Sequence, residues 1–150
     1  METTASKNTA TLLQLSALTQ YFFPLGNFIF PTLIWSLRKD ESEFVDYNGK
    51  QAINFQLSLL VYMFILAIIA IPIFACTLLS GMNFNMATNG EWLIEDFSIS
   101  RITWLVIIAI VASLLIAALK VAEFILIIFA SAKNNKGEKY KYPLTINFIR

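Results

Sequence analysis

The polar side chains inside the apolar stretches of this chain are the first candidates for chemistry. Four of them recur at spacings of three, four and four residues along one apolar run: Gln51, Asn54, Ser58 and Tyr62. These spacings place them on one face of a helix. Such a stripe is poorly suited to lipid, so it either packs against another helix or lines a hydrated path. We favour packing, with the side-chain amides hydrogen-bonded across a helix interface.

A second polar group lies in the last apolar run. Lys120 and Glu123 are three residues apart and can pair on one helix. Ser113, together with two alanines spaced four residues from it, gives the same helix a small-residue face that another helix could approach closely. The charged pair is either a structural ion pair near the membrane boundary or a proton- or ion-coupled site. We favour the structural interpretation.

The residue content argues against most enzyme classes. The chain has no histidine and one cysteine, so it lacks a common general base and cannot form an internal disulfide. It has no glycine-rich phosphate loop, no cluster with metal-ligand spacing and no catalytic triad pattern. A net charge of +1 also gives little general attraction for nucleic acid. We therefore expect a non-enzymatic protein with no cofactor, no metal and no nucleic-acid partner.

These polar residues must be positioned by membrane helices, because the composition is that of a membrane protein. Of the 150 residues, 57% are hydrophobic and 14% are charged, whereas soluble domains are about 25% charged. A bilayer core needs roughly 20 apolar residues per helix. The sequence predicts an all-α, polytopic membrane protein with three spans, at about 12–37, 52–79 and 102–132.

The rest of the chain follows from these spans. We expect a disordered N-terminal tail over residues 1–11, followed by a single helical domain over 12–150. Within it, residues 38–51 form a cytoplasmic loop, 80–101 an external loop and 133–150 a cytoplasmic tail. The two segments assigned to the cytoplasm carry most of the lysine and arginine, as the positive-inside rule requires. The expected location is the bacterial inner membrane, with the C-terminus in the cytoplasm.

The first apolar segment permits two topologies. Pro24, Gly26, Asn27 and Pro31 interrupt it, so a straight helix is unfavourable. It is either one kinked span or a re-entrant hairpin of two short helices, 12–23 and 28–37, which would place the N-terminus inside. Non-helical backbone at membrane depth must be buried in protein or face water. We favour the kinked span.

Three fragments, taken together, suggest a family. They are PTLIW followed by LRKDESEFVD (31–46), NGKQAINFQ (48–56) and NKGEKYKYPLTI (135–146). Their order and spacing resemble the Tic-twenty-like family of small bacterial membrane proteins, which are related to a component of the chloroplast inner-envelope import translocon. The resemblance implies a helical membrane protein, with plastid relatives assigned to a protein-conducting pore. It implies no established activity for bacterial members and no catalytic residue.

The same fragments share a physical pattern at the predicted cytoplasmic side. Asn-Gly suits a turn, a glycine soon after the last helix suits its end, and alternating lysine and tyrosine suit the headgroup layer. We predict that the first loop and the tail pack together as an inner-face platform. Its candidate residues are Asp46, Asn48, Gly49, Gly137, Tyr140, Tyr142 and Pro143.

Two functional hypotheses follow from the sequence. The first is a structural or accessory protein of the membrane, acting as a homo-oligomer or as a subunit of a larger membrane complex. The alternative is a transport or protein-translocation component with a polar path lined by the second and third helices. In both cases the expected partners are the lipid bilayer and other membrane protein subunits or further copies of this chain.

Overall fold

The computed structural model is helical. It describes the backbone of residues 2–79, 84–86, 92–94 and 99–150, and the side chains of residues 2–77 and 103–150. The α-helices are α1 (Thr4–Ser16), α2 (Gly26–Arg38), α3 (Glu43–Leu79) and α4 (Ile99–Asn135). Short 3₁₀ segments, Ala17–Tyr21 and Lys39–Glu41, follow α1 and α2. The predicted helical class is confirmed.

The described part of the connection between α3 and α4 contains two short strands. They are β1 (Phe84–Met86) and β2 (Trp92–Ile94), which pair antiparallel with Asn85 opposite Leu93. The remainder of the external loop that we predicted over residues 80–101 lies outside the described residues, apart from the start of α4.

Two helices are long and apolar enough to cross a membrane: Glu43–Thr77 within α3 and Thr103–Asn135 within α4. None of their most apolar stretch is buried inside the protein, unlike the core helix of a soluble domain. The expectation of three spans is not confirmed. Helix α2 has 13 residues, about 20 Å at 1.5 Å per residue, which is too short for a bilayer core of about 30 Å.

The first apolar segment forms a helical hairpin and not the kinked span that we favoured. Helix α1 continues into the 3₁₀ segment, the chain turns over residues 22–25, and α2 begins after Leu25, which has a left-handed backbone with φ of 62°. Gly26 allows the closure, because a Cβ atom there would lie 2.5 Å from Thr19 Oγ1. The break therefore reverses the chain where Pro24 and Gly26 predicted an interruption.

Helix α1 also replaces the disordered tail that we expected over residues 1–11. Thr3 caps the helix by accepting a hydrogen bond from the Ser6 amide at 3.1 Å, which satisfies an N–H group that would otherwise lack a partner. Ala10 and Leu13 are fully buried. The small polar residues of this segment thus form the solvated face of a packed helix.

At the other end of the hairpin, the predicted loop over 38–51 is mostly helical. Ser42 ends the 3₁₀ segment, and its hydroxyl accepts a hydrogen bond from the Phe44 amide at 3.2 Å in the first turn of α3. Helix α3 therefore begins at Glu43, and Asp46, Asn48 and Gly49 lie on it and not in a turn.

The chain divides into two compact units, residues 1–61 with 119–150 and residues 62–118. The first unit contains α1, α2, the start of α3, the end of α4 and the C-terminal tail (136–150). Its interior holds many polar side chains and its surface many apolar ones, including Phe22, Leu12 and Leu33, which are 92%, 61% and 51% exposed. A polar interior beneath an apolar surface suits a lipid environment.

Candidate functional site

The main polar cluster of the first unit lies where the C-terminal tail crosses the face of α3. Asn54, 1% exposed, accepts hydrogen bonds from the amides of Phe148 at 3.1 Å and Ile149 at 2.9 Å. Its own Nδ2 donates to the Ile149 carbonyl at 2.9 Å. One side chain thus satisfies three backbone groups of an irregular segment, which could not otherwise be buried without cost.

Ser58 continues this arrangement one turn further along α3. The Ile146 amide donates to Ser58 Oγ at 2.8 Å, and that hydroxyl donates to the Asn54 carbonyl at 2.7 Å. The stripe predicted from the sequence therefore meets the tail at Asn54 and Ser58, and not a neighbouring helix. Gln51 lines a cavity between the start of α3 and the tail, and Tyr62 lies in the second unit.

A second layer of contacts joins the tail to α1 and α3 around Tyr142. The Tyr142 ring stacks on Phe55 with centroids 4.1 Å apart, and its hydroxyl donates to Gln14 Oε1 at 2.7 Å. Burial raises the pKa of the Tyr142 hydroxyl well above its ordinary value. Gln14 was not among the predicted site residues, although a glutamine between the leucines of residues 12–15 is a signal that could have found it.

Asn48 joins the tail to the first turns of α3. Its Oδ1 accepts from the Tyr140 amide at 3.2 Å, and its Nδ2 donates to the Phe44 carbonyl at 2.9 Å. Next to it, Lys139 bonds Glu43 at 2.6 Å, which raises the pKa of the Lys139 ammonium. The tail is therefore bonded to α3 at several positions along the helix, from Glu43 to Ser58.

The remaining platform candidates belong to separate contacts, except that Asp46 and Gly49 both lie against Trp35. Asp46 accepts from Trp35 Nε1 at 2.9 Å and pairs with Lys50 at 2.7 Å, so it links α2 to α3. Gly49 faces the same indole, Gly137 adopts φ of 83° against Lys7, and Pro143 is exposed. The predicted platform residues are thus distributed over several contacts of the first unit and do not converge on one centre.

The predicted ion pair of α4 belongs to a three-residue cluster. Lys120 Nζ lies 2.8 Å from Glu123 Oε2, and Glu123 is 1% exposed. Gln20, from the 3₁₀ segment after α1, donates to Glu123 Oε1 at 2.8 Å and accepts from Lys120 at 3.0 Å. This arrangement satisfies the buried carboxylate and ties the hairpin to α4. Gln20 is a second partner that the sequence analysis missed.

Ser113 lies in the second unit, on an exposed face of α4. It lines a shallow groove with Ala109 and Ala117, the small residues that share its helical spacing. Across the described residues, no group of three or more histidine, cysteine, aspartate or glutamate side chains could hold a metal ion.

A comparison with known families identifies the class of protein. Residues 5–149 match the MamF/MmsF family, described as the magnetosome magnetite crystal formation protein family. Because the match covers nearly the whole chain, the protein belongs to this family. No curated protein and no solved structure matches the chain.

This match overturns the resemblance to the Tic-twenty-like family. That resemblance rested on three short fragments, which contain a helix start with Asn-Gly, a glycine after a helix and alternating lysine and tyrosine. Such features serve the membrane boundary in unrelated helical proteins, so they do not identify a family by themselves.

Proposed function

We propose that this protein is a non-enzymatic accessory protein of the membrane in which magnetite crystals form, and that it takes part in crystal formation there. The observation that carries the proposal is the family match, which includes the hairpin, both long helices and the tail. The site geometry agrees with an accessory role, because the buried polar groups described above are used mainly to hold segments of the chain together.

We further propose a topology of two spans with both termini in the cytoplasm. With α1 and α2 as a hairpin, the N-terminal segment, the start of α3 and the tail share one side of the membrane. Two contacts support this placement of the three segments on one side. Ser42 Oγ lies 3.5 Å from Glu2 Oε2, and Lys139 pairs with Glu43. Lysine and arginine are concentrated in these segments, while the connection between α3 and α4 contains neither, and Arg101 lies in the first turn of α4. The positive-inside rule then favours the cytoplasm for the lysine-rich side.

The transport alternative has less physical support. A hydrated path needs polar groups that are free to meet water or cargo. Asn54 and Ser58 instead use their hydrogen-bonding capacity on the backbone of the tail. Glu123 and Lys120 bond Gln20 and each other. Four of the polar residues on which the transport hypothesis depended are therefore engaged in packing: Asn54, Ser58, Lys120 and Glu123.

The proposed function can be tested in a magnetite-forming bacterium that lacks its own member of this family. Expression of the wild-type chain should shift the crystal-size distribution, measured by electron microscopy, towards that of the undeleted strain. A chain with Asn54→Leu, which loosens the tail, should restore it less well, whereas Ser113→Ala should act like the wild type. Wild-type chain that reaches the crystal-enclosing membrane and leaves crystal size and number unchanged would refute the proposal.

A further inference from the structure

The hairpin of α1 and α2 is bonded to both long helices close to its turn. On the α2 side, Asn27 Nδ2 donates to Gln56 Oε1 on α3 at 2.8 Å. On the α1 side, Gln20 Oε1 accepts from Lys120 on α4 at 3.0 Å. The depth of Gln56 and Lys120 in a membrane therefore gives the depth that the hairpin turn reaches.

Lysines mark the level at which the two long helices enter the bilayer. Lys50 is the last charged residue before the apolar run of α3, and Lys133 follows the uncharged stretch 124–132 of α4. Lysines in such positions lie at the level of the lipid headgroups. At about 1.5 Å per residue, Gln56 lies about 9 Å below this level and Lys120 about 20 Å below it. The hairpin therefore turns near the midplane of a core about 30 Å thick.

The outer surface of the hairpin is apolar and suited to contact with lipid. Leu12 on α1, Leu25 at the turn and Leu33 on α2 are 61%, 63% and 51% exposed. Each of the two helices is about 10–12 Å wide with its side chains, so the hairpin adds area to the leaflet from which it enters. Among the described helices, only α3 and α4 are long enough to continue into the other leaflet.

We propose that the hairpin gives this protein a preference for membranes that are convex on their cytoplasmic side. Bending a bilayer spreads the lipids of its convex leaflet, and apolar elements inserted into that leaflet cover the area that opens, which makes such insertion sensitive to curvature. A vesicle inside a cell has its cytoplasmic leaflet on the convex side. This preference depends on the proposed topology of two spans and not on a role in crystal formation.

Membrane tubes pulled outward from giant vesicles that contain the full-length chain test this preference. In a Cys76→Ala background, an impermeant fluorescent maleimide added outside labels Ser42→Cys only in molecules whose cytoplasmic side faces outward. It labels Asn89→Cys only in molecules of the opposite orientation. Because the outer leaflet of the tube is strongly convex, the Ser42→Cys signal per membrane area should be higher in the tube than in the parent vesicle. The Asn89→Cys signal should be lower in the tube.

Alanine substitutions of exposed side chains test the physical cause of the enrichment. Leu12→Ala with Leu33→Ala removes volume from the hairpin, so the enrichment of the Ser42→Cys signal should fall. Ile68→Ala with Leu114→Ala is the matched control, because these side chains are 69% and 64% exposed. They lie about 27–29 Å below the lysine level, in the other leaflet. Removing volume there should raise the enrichment.

Equal signal per membrane area in tube and vesicle for both labels would overturn the curvature preference alone, because same-side labelling of positions 2 and 42 measures the topology separately. Opposite responses of Glu2→Cys and Ser42→Cys would refute the topology on which the preference depends. A fall of the enrichment in the Ile68→Ala/Leu114→Ala control, equal to that in the hairpin variant, would refute unequal leaflet area as its cause.

Discussion

Single side chains on α3 decide how the tail is held. Asn54 pairs with two amides and one carbonyl of residues 148 and 149, so a leucine there would leave three backbone groups without partners. Each unpaired buried group costs about 1–3 kcal/mol, unless the segment opens to water. The cheaper outcome for the Asn54→Leu chain is local detachment of the tail.

Hydrogen exchange should detect this detachment. In Asn54→Leu, the amides of Phe148 and Ile149 should exchange about 5- to 150-fold faster than in the wild type, which corresponds to about 1–3 kcal/mol. Asn134→Leu is the control, because the Asn134 side chain donates to the Ala10 carbonyl and makes no hydrogen bond to residues 148 and 149. Unchanged exchange at both amides in Asn54→Leu would show that the tail is held by other contacts.

The cluster of Lys120, Glu123 and Gln20 permits a test of coupling. Removing one partner of a buried ion pair leaves an uncompensated charge, whereas replacing both with apolar residues is often close to neutral. Lys120 is partly exposed, so we expect Glu123→Leu to lower the free energy of unfolding by about 1–3 kcal/mol. The double variant Lys120→Leu/Glu123→Leu should lose less, as measured by denaturant titration in detergent. Additive losses would contradict a coupled pair.

The polar spacing along α3 was visible in the sequence, but the partner of that stripe was not. The periodicity of residues 51, 54 and 58 indicates a shared face and carries no information on what covers it. The contacts to Ile146 and Ile149 join residues 88 and 95 positions apart, and no local pattern encodes such a pairing. Gln14 and Gln20 were missed because the first apolar segment was treated as a membrane span interrupted at Pro24.

At the scale of elements, helix α2 approaches α3 closely at Gly49. A Cβ atom added at Gly49 would lie 2.2 Å from Trp35 Cδ1 and 3.1 Å from Trp35 Cβ, so rotation of the indole alone cannot relieve the overlap. The sequence suggested Gly49 as part of a turn because Asn-Gly is a turn signal. In the structure its role is helix packing, which depends on a tertiary neighbour.

Gly49→Ala should therefore destabilise the protein by about 1–3 kcal/mol, the usual cost of overpacking. It should also disturb the hydrogen bond from Trp35 to Asp46. Thermal unfolding in detergent measures the loss. Adding Gly49→Ala to a Trp35→Ala background should cost much less, because the overlapping side chain is gone. An equal cost in both backgrounds would mean that helix propensity or backbone effects, and not the indole, require glycine.

At the scale of the whole molecule, composition was sufficient to predict a helical membrane protein. Apolar content alone was not sufficient to predict the number of spans. The two long spans follow from length and hydropathy alone. The first segment passes a simple test of apolar content as well, but its reversal depends on the left-handed Leu25 and on the contact of Gly26 with Thr19. Family membership was also beyond short-fragment comparison, since the match extends over residues 5–149.

The central claim is that the hairpin places both of its ends on one side of the membrane, and cysteine labelling in sealed vesicles tests it most directly. With Cys76 replaced by alanine, single cysteines at Glu2, Ser42 and Asn89 are exposed to a membrane-impermeant maleimide in inside-out and right-side-out vesicles. Because Glu2 and Ser42 lie 3.5 Å apart, both should react from the same side, opposite to Asn89. Reaction of the cysteines at positions 2 and 42 from opposite sides would contradict the hairpin and indicate a third span.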